Sequence, residues 1–216
     1  MMSVPPDPFH LILSVTGASG VCYAARFLEK LQNRSAICVS IIMSKNGESI
    51  WQDECGTPPP QAPQWRYWNL YDFSAPFASG SHPADAMMVL PCSMGTLARI
   101  AQGVSDNLIS RAADVHLKER RPVVLVLRES PFNTIHLRNM TLAAEAGAII
   151  APASPSFYHH PQNIDELIEP FIDRLLRLCG AVPEYEGYKW GENPFFAAKR
   201  ETCSQTQEFT NHPTGF

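Results

Sequence analysis

The chain has 216 residues, of which 45% are hydrophobic and 18% charged, a composition that fits one folded domain and excludes a disordered chain. Its formal net charge of -4 argues against a nucleic-acid-binding protein, which needs a broad basic surface. No apolar run approaches the roughly 20 residues that span a bilayer, and the first residues do not resemble a signal peptide. We therefore expect a cytoplasmic protein that binds neither nucleic acid nor membrane.

The amino-terminal part of the chain predicts two strand–helix units. Residues 9–16 form an apolar run that ends in GASG, which is typical of a buried parallel strand leading into a helix, here expected over residues 21–32. Residues 37–43 predict a second strand, and Ser44 is well placed to cap a helix that ends near Glu54. These two units favour an α/β fold.

A segment rich in proline and tryptophan interrupts the alternation. Residues 56–83 include PPP, and we expect a long loop there with room for an embedded turn but without a regular element. The two tryptophans within residues 61–69 have no assigned place in the fold.

The alternation then resumes and continues to residue 178. In chain order we expect a strand over 86–91, a short helix to about 102, a helix over 107–119, a strand over 123–127, a helix over 135–146, a strand over 148–151 and a helix over 164–178. This order predicts a doubly wound α/β domain with a mostly parallel sheet over residues 9–180. Residues 1–8 would be an N-terminal extension, and residues 181–216 a C-terminal arm or tail.

Ligands of open α/β sheets bind beyond the carboxyl ends of the strands. The segments expected there are residues 16–20, 44–45, 91–96, 128–129 and 152–158. Three of them carry glycine or hydroxyl residues where a helix begins, which suits a phosphate-bearing cofactor, although each hydroxyl could simply cap its helix. TGASG lacks the third glycine of the dinucleotide motif and no P-loop is present, so FMN fits better.

Several charged residues have more than one interpretation. Arg128 and Glu129 end an apolar strand, where a role in the cleft and simple solvation are equally compatible with the sequence. Asp114 and Lys118 share a helix face and could form a surface ion pair, and Arg174 could be a surface residue of the last helix. The cysteines and histidines show no metal-ligand spacing, so we expect no metal site.

Three motifs follow one another in a characteristic order. They are PCSMGTLA, NLISRAADVHLKERRPVVLVLRESPF and FYHHP, preceded by LSVTGASGVCYAARFLEKL. Together they closely resemble the UbiX/Pad family of flavin prenyltransferases. The resemblance implies a flavodoxin-like, Rossmann-type fold that binds FMN. It also implies transfer of a dimethylallyl group from dimethylallyl phosphate to N5 and C6 of reduced FMN. Whether the donor is the monophosphate or the pyrophosphate stays open.

The resemblance also implies partners. The prenylated FMN would serve a UbiD-type decarboxylase, and the chain would form a homo-oligomer, a dodecamer built from trimers with sites at subunit boundaries. The family pattern requires no metal.

The same resemblance assigns roles to individual residues. The FMN-binding residues would be Gly17, Ala18, Ser19, Ser44, Ser93, Met94, Gly95, Thr96 and Arg128. The catalytic residues would be Glu54, which removes a proton from the flavin, and Lys118 and Glu129 around the phosphate. The substrate-binding residues would be Tyr158, Arg174 and Lys118, with Phe73 and Trp190 as an aromatic wall for the allyl cation.

Two other functions remain compatible with a flavin-binding fold. One is an FMN-dependent cysteine decarboxylase, and the other is a non-catalytic flavin-binding subunit of a decarboxylase. The chain lacks a PxMNxxM-like substrate clamp, which argues against the first. It retains the charged residues and the tyrosine expected around the donor, which argues against the second.

Overall fold

The computed structural model describes residues 8–82 and 84–182. Its strands are β1 (Phe9–Val15), β2 (Ile37–Met43), β3 (Trp65–Trp68), β4 (Ala86–Cys92), β5 (Val123–Leu127) and β6 (Ile149–Pro152). They form one sheet in the order β3-β2-β1-β4-β5-β6, and all the pairings in the described residues are parallel. The strand order reverses between β1 and β4, which is where ligands bind in sheets of this kind. We call the edge where the strands end the carboxyl edge and the opposite one the amino edge.

Helices follow the strands at the positions that the sequence predicts. They are α1 (Val21–Leu31), α2 (Lys45–Cys55), α3 (Met94–Ala101), α4 (Leu108–Lys118), α5 (Thr134–Glu145) and α6 (Ile164–Leu178). Serine or asparagine side chains cap the amino ends of α2 to α6, whereas α1 begins at Gly20 without a side-chain cap of its own. Within the described residues, no helix combines the length and apolar character needed to cross a bilayer.

The sheet is buried on both faces, which explains why its strands are continuous apolar runs. One core layer joins Leu11 and Leu13 of β1 to α1 and α6 through residues such as Phe27 and Ile172. The other joins Ile12, on the opposite face of β1, to α3, α4 and α5. The doubly wound, flavodoxin-like architecture expected from the sequence is therefore confirmed.

The prediction of no regular element in residues 56–83 is wrong. This segment contains β3 and a short 3₁₀ turn, Pro76–Ala78. β3 pairs only with β2 in the described sheet, and it has four residues, too few for a local pattern to reveal. Its two tryptophans now have places, because Trp65 is buried in the core and the Trp68 indole donates a 3.1 Å hydrogen bond to the Ser40 hydroxyl.

Two sequence predictions lie largely outside the described residues. Trp190 is not among them, and of the expected arm over residues 181–216 only residues 181 and 182 are described. The proposed domain limits at residues 8 and 180 therefore stay predictions.

Candidate functional site

Three of the loops predicted to bind FMN meet at the carboxyl edge. We call residues 16–20 the first loop, 44–46 the second and 91–96 the third. The Thr16 amide donates to the Pro91 carbonyl at 3.2 Å, and the Ser44 amide donates to the Val15 carbonyl at 2.9 Å. These backbone bonds join all three loops around the carboxyl end of β1.

Glycine allows the second loop and α2 to approach this strand end closely. A Cβ atom on Gly17 would lie 2.7 Å from the Asn46 Cβ, and one on Gly47 would lie 2.6 Å from the Val15 carbonyl oxygen. Both distances are shorter than real Cβ contacts allow. The first loop therefore needs glycine at position 17 for packing, in addition to any contact with a ligand.

The hydroxyls of the second and third loops are helix caps. Ser44 Oγ accepts a 3.1 Å hydrogen bond from the Gly47 amide, and Ser93 Oγ accepts one of 3.3 Å from the Thr96 amide. The capping interpretation left open by the sequence is thus correct for both serines. Met94 and Ala18 are buried, and the Met94 side chain packs in the core layer of α3, α4 and α5.

A cavity of about 250 Å³ opens beside the second loop. Ser44, Lys45 and Asn46 border it at the amino end of α2, and Thr96 and Arg99 of α3 border it on another side. Asn107, which caps α4, also lines it. Helix amino ends carry partial positive charge and unpaired N–H groups, which favour an anion in this cavity, and the Asp106 carboxylate that also lines it is paired with Arg99.

Arg99 is a cavity residue that the sequence analysis missed. Its guanidinium donates to the Gly95 carbonyl at 3.1 Å and pairs with Asp106 at 3.2 Å. The hydrogen bond from Arg99 is the main reason that the pKa of Asp106 lies below its ordinary value. Helical spacing could have revealed Arg99, because it lies three residues after Thr96 and so shares a helix face with it.

Arg128 reaches the first loop from the end of β5. Its Nε donates a 3.0 Å hydrogen bond to the Ser19 carbonyl, across the carboxyl edge. The adjacent Glu129 is exposed and accepts a 3.0 Å hydrogen bond from the Ser130 amide. Arg128 therefore belongs to the cleft rather than to solvent alone.

Glu54 meets the other end of the first loop. Its carboxylate accepts hydrogen bonds from the Gly20 amide at 2.9 Å and from the Val21 amide at 3.0 Å. The negative charge thus lies at the uncapped amino end of α1. Burial raises the pKa of the neighbouring Cys22 thiol, and the Glu54 charge raises it further.

Lys118 lies at the opposite edge of the sheet. It is the last residue of α4, its ammonium pairs with Glu119, and that hydrogen bond is the main cause of the lowered pKa of Glu119. Just beyond, Arg121 donates at 2.9 Å to the carbonyl of Ala84, which precedes β4. One chain therefore does not bring Lys118 to the three loops.

The ion pair between Asp114 and Lys118, one of the two interpretations that the sequence allowed, is not formed, since Lys118 pairs with Glu119. Asp114 pairs instead with Arg111, at 2.9 Å, because residues three apart on a helix can also meet. Arg111 is further held by a 3.0 Å hydrogen bond from its Nε to the Ala78 carbonyl.

The two predicted donor-binding residues of the last β–α unit lie on different elements, one in a loop and one on α6. Tyr158, 43% exposed, lies in the loop before α6, where its ring packs edge-on against His159. Arg174 is exposed and lies ten residues after Ile164, or about 15 Å along the helix axis. Phe73 is 47% exposed, two residues from Tyr71, which lines the cavity.

No three His, Cys, Asp or Glu side chains within residues 8–82 and 84–182 are arranged to hold a metal ion.

Comparison with known proteins decides the family. The flavoprotein family model matches residues 3–172. The flavin prenyltransferase UbiX of Pseudomonas aeruginosa is 40% identical over 201 residues, which cover 86% of this chain and 95% of the relative. The chain belongs to the UbiX family of flavin prenyltransferases. The resemblance seen in the sequence motifs is thereby confirmed.

Solved structures of UbiX proteins agree with this assignment. AnUbiX (PadA1), in complex with FMN and dimethylallyl pyrophosphate, is 38% identical, covers 84% of this chain and all of its own, and superimposes with a TM-score of 0.73. A dodecameric FMN-dependent UbiX-like decarboxylase from Escherichia coli O157:H7 is 34% identical, covers 84% of this chain and 99% of its own, and has a TM-score of 0.76.

Proposed function

We propose that this UbiX-family chain is a flavin prenyltransferase, which transfers a dimethylallyl group from dimethylallyl phosphate to reduced FMN. The observation that carries the proposal is the meeting of three loops, Arg128 and Glu54 at one edge of the sheet, in a chain 40% identical to a flavin prenyltransferase. No specific feature of the described site favours the cysteine decarboxylase or the non-catalytic subunit.

The residues of the carboxyl edge fit FMN. Its phosphate suits the 250 Å³ cavity, where the Lys45 and Arg99 cations, the Ser44 and Thr96 hydroxyls and helix amino ends are together. The glycine at position 17 keeps a side chain out of the narrow space between the first and second loops. Gly17 to Ser19, the third loop and Arg128 would then contact the rest of the flavin.

When bound, reduced FMN supplies the nucleophilic atoms N5 and C6. The chain must stabilise the negative charge that gathers on the departing phosphate, and Lys118, Arg174 and Tyr158 carry the donors for this. Glu129, as an acid, would protonate that phosphate. Phe73 and Trp190 would offer aromatic faces to the cationic allyl fragment.

Glu54 is suited to accept the proton that C6 loses. The Gly20 and Val21 amides fix its carboxylate beside the first loop. A carboxylate has about four lone-pair positions, so these hydrogen bonds leave it acceptor capacity. Its contact with the Gly20 amide, at the end of the first loop, supports this role.

We propose that Lys118 acts in the site of a neighbouring subunit. Lys118 lies at the amino edge and Arg128 at the carboxyl edge, so the two need different chains to meet. The E. coli relative is dodecameric, and we propose the same assembly here. Exposed apolar residues such as Ile135, Leu137 and Phe157 would be covered in it.

The product suits a UbiD-type decarboxylase as recipient. A cytoplasmic location stays a prediction from the sequence. The donor class is a dimethylallyl phosphate ester, and AnUbiX was solved with the pyrophosphate.

The test is anaerobic incubation of the purified protein with reduced FMN and dimethylallyl monophosphate or pyrophosphate. Mass spectrometry of the extracted flavin should show one added C5 unit with at least one donor. Unmodified FMN with both donors, in protein shown to bind FMN, would contradict the proposal.

A further inference from the structure

The Thr16 hydroxyl joins the first loop to the third. Thr16 is 1% exposed, and its Oγ1 donates a 2.8 Å hydrogen bond to the Pro91 carbonyl. The same oxygen accepts a 2.8 Å hydrogen bond from the Ser93 amide. A carbonyl can only accept and an amide N–H can only donate, so the direction of both bonds is fixed.

These bonds continue into the cavity. The Ser93 amide held by Thr16 belongs to the residue that caps α3, and the Ser93 hydroxyl in turn donates to Thr96 Oγ1 at 3.1 Å. Thr96 lines the cavity, and because its oxygen accepts from Ser93, its own proton is available to a ligand. Hydrogen bonds through Ser93 therefore connect the buried Thr16 to Thr96 in the wall of the cavity.

We propose that Thr16 is a positioning residue for FMN, acting through Ser93 and Thr96 without touching the ligand. The inference rests on the proposed FMN site. Its physical basis is preorganisation: a cap whose amide is held in place presents the amino end of α3 and the Thr96 hydroxyl in one arrangement, so less ordering is left to occur on binding.

The hydroxyl can be tested separately from the backbone. The Thr16 amide also donates to the Pro91 carbonyl, at 3.2 Å, so that oxygen keeps one partner when the hydroxyl is removed. Thr16→Val preserves the branched shape but leaves the Ser93 amide without its acceptor. Thr16→Ser restores the hydroxyl without the methyl group.

Ser14, on the strand that leads into the first loop, offers a matched control. It is fully buried, and its hydroxyl has no hydrogen-bond partner among the described residues. Ser14→Ala therefore removes a buried hydroxyl two residues from Thr16 without breaking a hydrogen bond. It separates loss of the Thr16 bonds from loss of a hydroxyl in β1.

The experiment measures the Kd for FMN, by flavin fluorescence, and the Tm without FMN for the full-length variants. We expect Thr16→Val, which loses both hydrogen bonds of the hydroxyl, to raise the Kd about tenfold, equivalent to about 1.4 kcal/mol of binding free energy. Thr16→Ser and Ser14→Ala should stay within about twofold of the parent, a change of less than 0.5 kcal/mol. At saturating FMN, the kcat of Thr16→Val should match the parent.

A folded Thr16→Val with the parent's Kd would overturn the inference, and so would Thr16→Ser binding as weakly as Thr16→Val. If Thr16→Val does not fold, Thr16→Cys replaces it: its weaker donor and acceptor should give an intermediate Kd, and a parental Kd would overturn the inference. A parent that binds FMN but yields no prenylated flavin contradicts the proposed function alone. A parent that binds no FMN contradicts both.

Discussion

Glu54 supplies the cap that Gly20 lacks. Gly20 begins α1 in the left-handed conformation, at φ 99°, and has no side chain to accept hydrogen bonds from the first turn. The Glu54 carboxylate, from the last turn of α2, accepts the Gly20 amide with both oxygens, at 2.9 and 3.1 Å. The residue proposed as a proton acceptor therefore also fixes the start of α1, and substitutions at position 54 must separate two roles.

We expect Glu54→Gln to lose most prenyl transfer while the protein still binds FMN. The amide oxygen can still accept from the α1 backbone, so the cost in stability should be about 0.3–1 kcal/mol, the worth of a charge at a helix end. Glu54→Ala removes the cap as well and should cost about 1–2 kcal/mol. Tm measurements and mass spectrometry of the flavin product check both effects.

Asp53→Asn is the control, since it neutralises an exposed neighbouring carboxylate on the same helix. It should leave product formation and Tm near those of the parent. Full prenyl transfer by Glu54→Gln would contradict the role of Glu54 as proton acceptor.

Gly95→Ala should stabilise the chain without FMN but weaken FMN binding. Gly95 is the second residue of α3, where alanine is favoured over glycine, by at most the roughly 1 kcal/mol of a helix interior. The nearest atom to an added Cβ is Arg99 Nη1 at 3.5 Å, an ordinary contact, so the chain itself has room for the methyl group. Any loss of affinity would then come from contact between the added methyl group and FMN. Measured on the same samples, both the Tm without FMN and the Kd for FMN should rise.

Gly17→Ala provides the contrast. Its Cβ would clash with Asn46, so it should lower both the Tm and the affinity for FMN. Unchanged FMN affinity in Gly95→Ala would remove Gly95 from the proposed binding site.

The sequence predicted most of the fold because its strands are buried on both faces and its helices begin at polar caps. It missed β3, whose four residues depend on pairing with β2 rather than on a local pattern. It identified the three loops, since chain order alone puts them after strands. It missed Arg99 and the joining role of Thr16, because these depend on which side chains meet in three dimensions.

The position of Lys118 could have been inferred from the sequence. A helix that ends only a few residues before the next parallel strand must end near the amino edge, and Lys118 is followed by β5 after four residues, whereas α2 is followed by a longer connection to β3. The family resemblance identified Lys118 as a functional residue. Its distance from Arg128 follows instead from the direction in which α4 runs.

Acid should destabilise the protein through two histidines, the half-buried His10 and the buried His116. Burial lowers the pKa of His10 below its ordinary 6.5, only partly offset by Asp85. Burial also lowers the pKa of His116, which is fully buried and bonded to the Ala112 carbonyl. Below pH 6.5 the unfolded chain binds these protons more readily than the folded one, so the free energy of unfolding should fall as pH falls.

Urea unfolding at pH 7.5 and 5.5 measures this loss, and each unit by which a pKa is lowered contributes at most about 1.4 kcal/mol. His10→Gln, whose amide can still bond to Ser40, should show a smaller loss. His82→Gln, at an exposed site, should behave like the parent. A His10→Gln variant as sensitive to acid as the parent would contradict the role of His10.

A shared active site predicts complementation between two inactive variants. Lys118→Ala chains retain Glu54, and Glu54→Gln chains retain Lys118. If each site takes Glu54 from one subunit and Lys118 from another, co-expression of the two in equal amounts should regenerate roughly a quarter of the sites of a randomly mixed assembly. Different affinity tags on the two chains allow the mixed oligomer to be purified, and the C5-modified flavin measures its activity.

Oligomers of the double variant Glu54→Gln/Lys118→Ala provide the background. A mixed oligomer no more active than that background would mean that Lys118 does not act across a subunit boundary, because sites built within one chain always retain one defect.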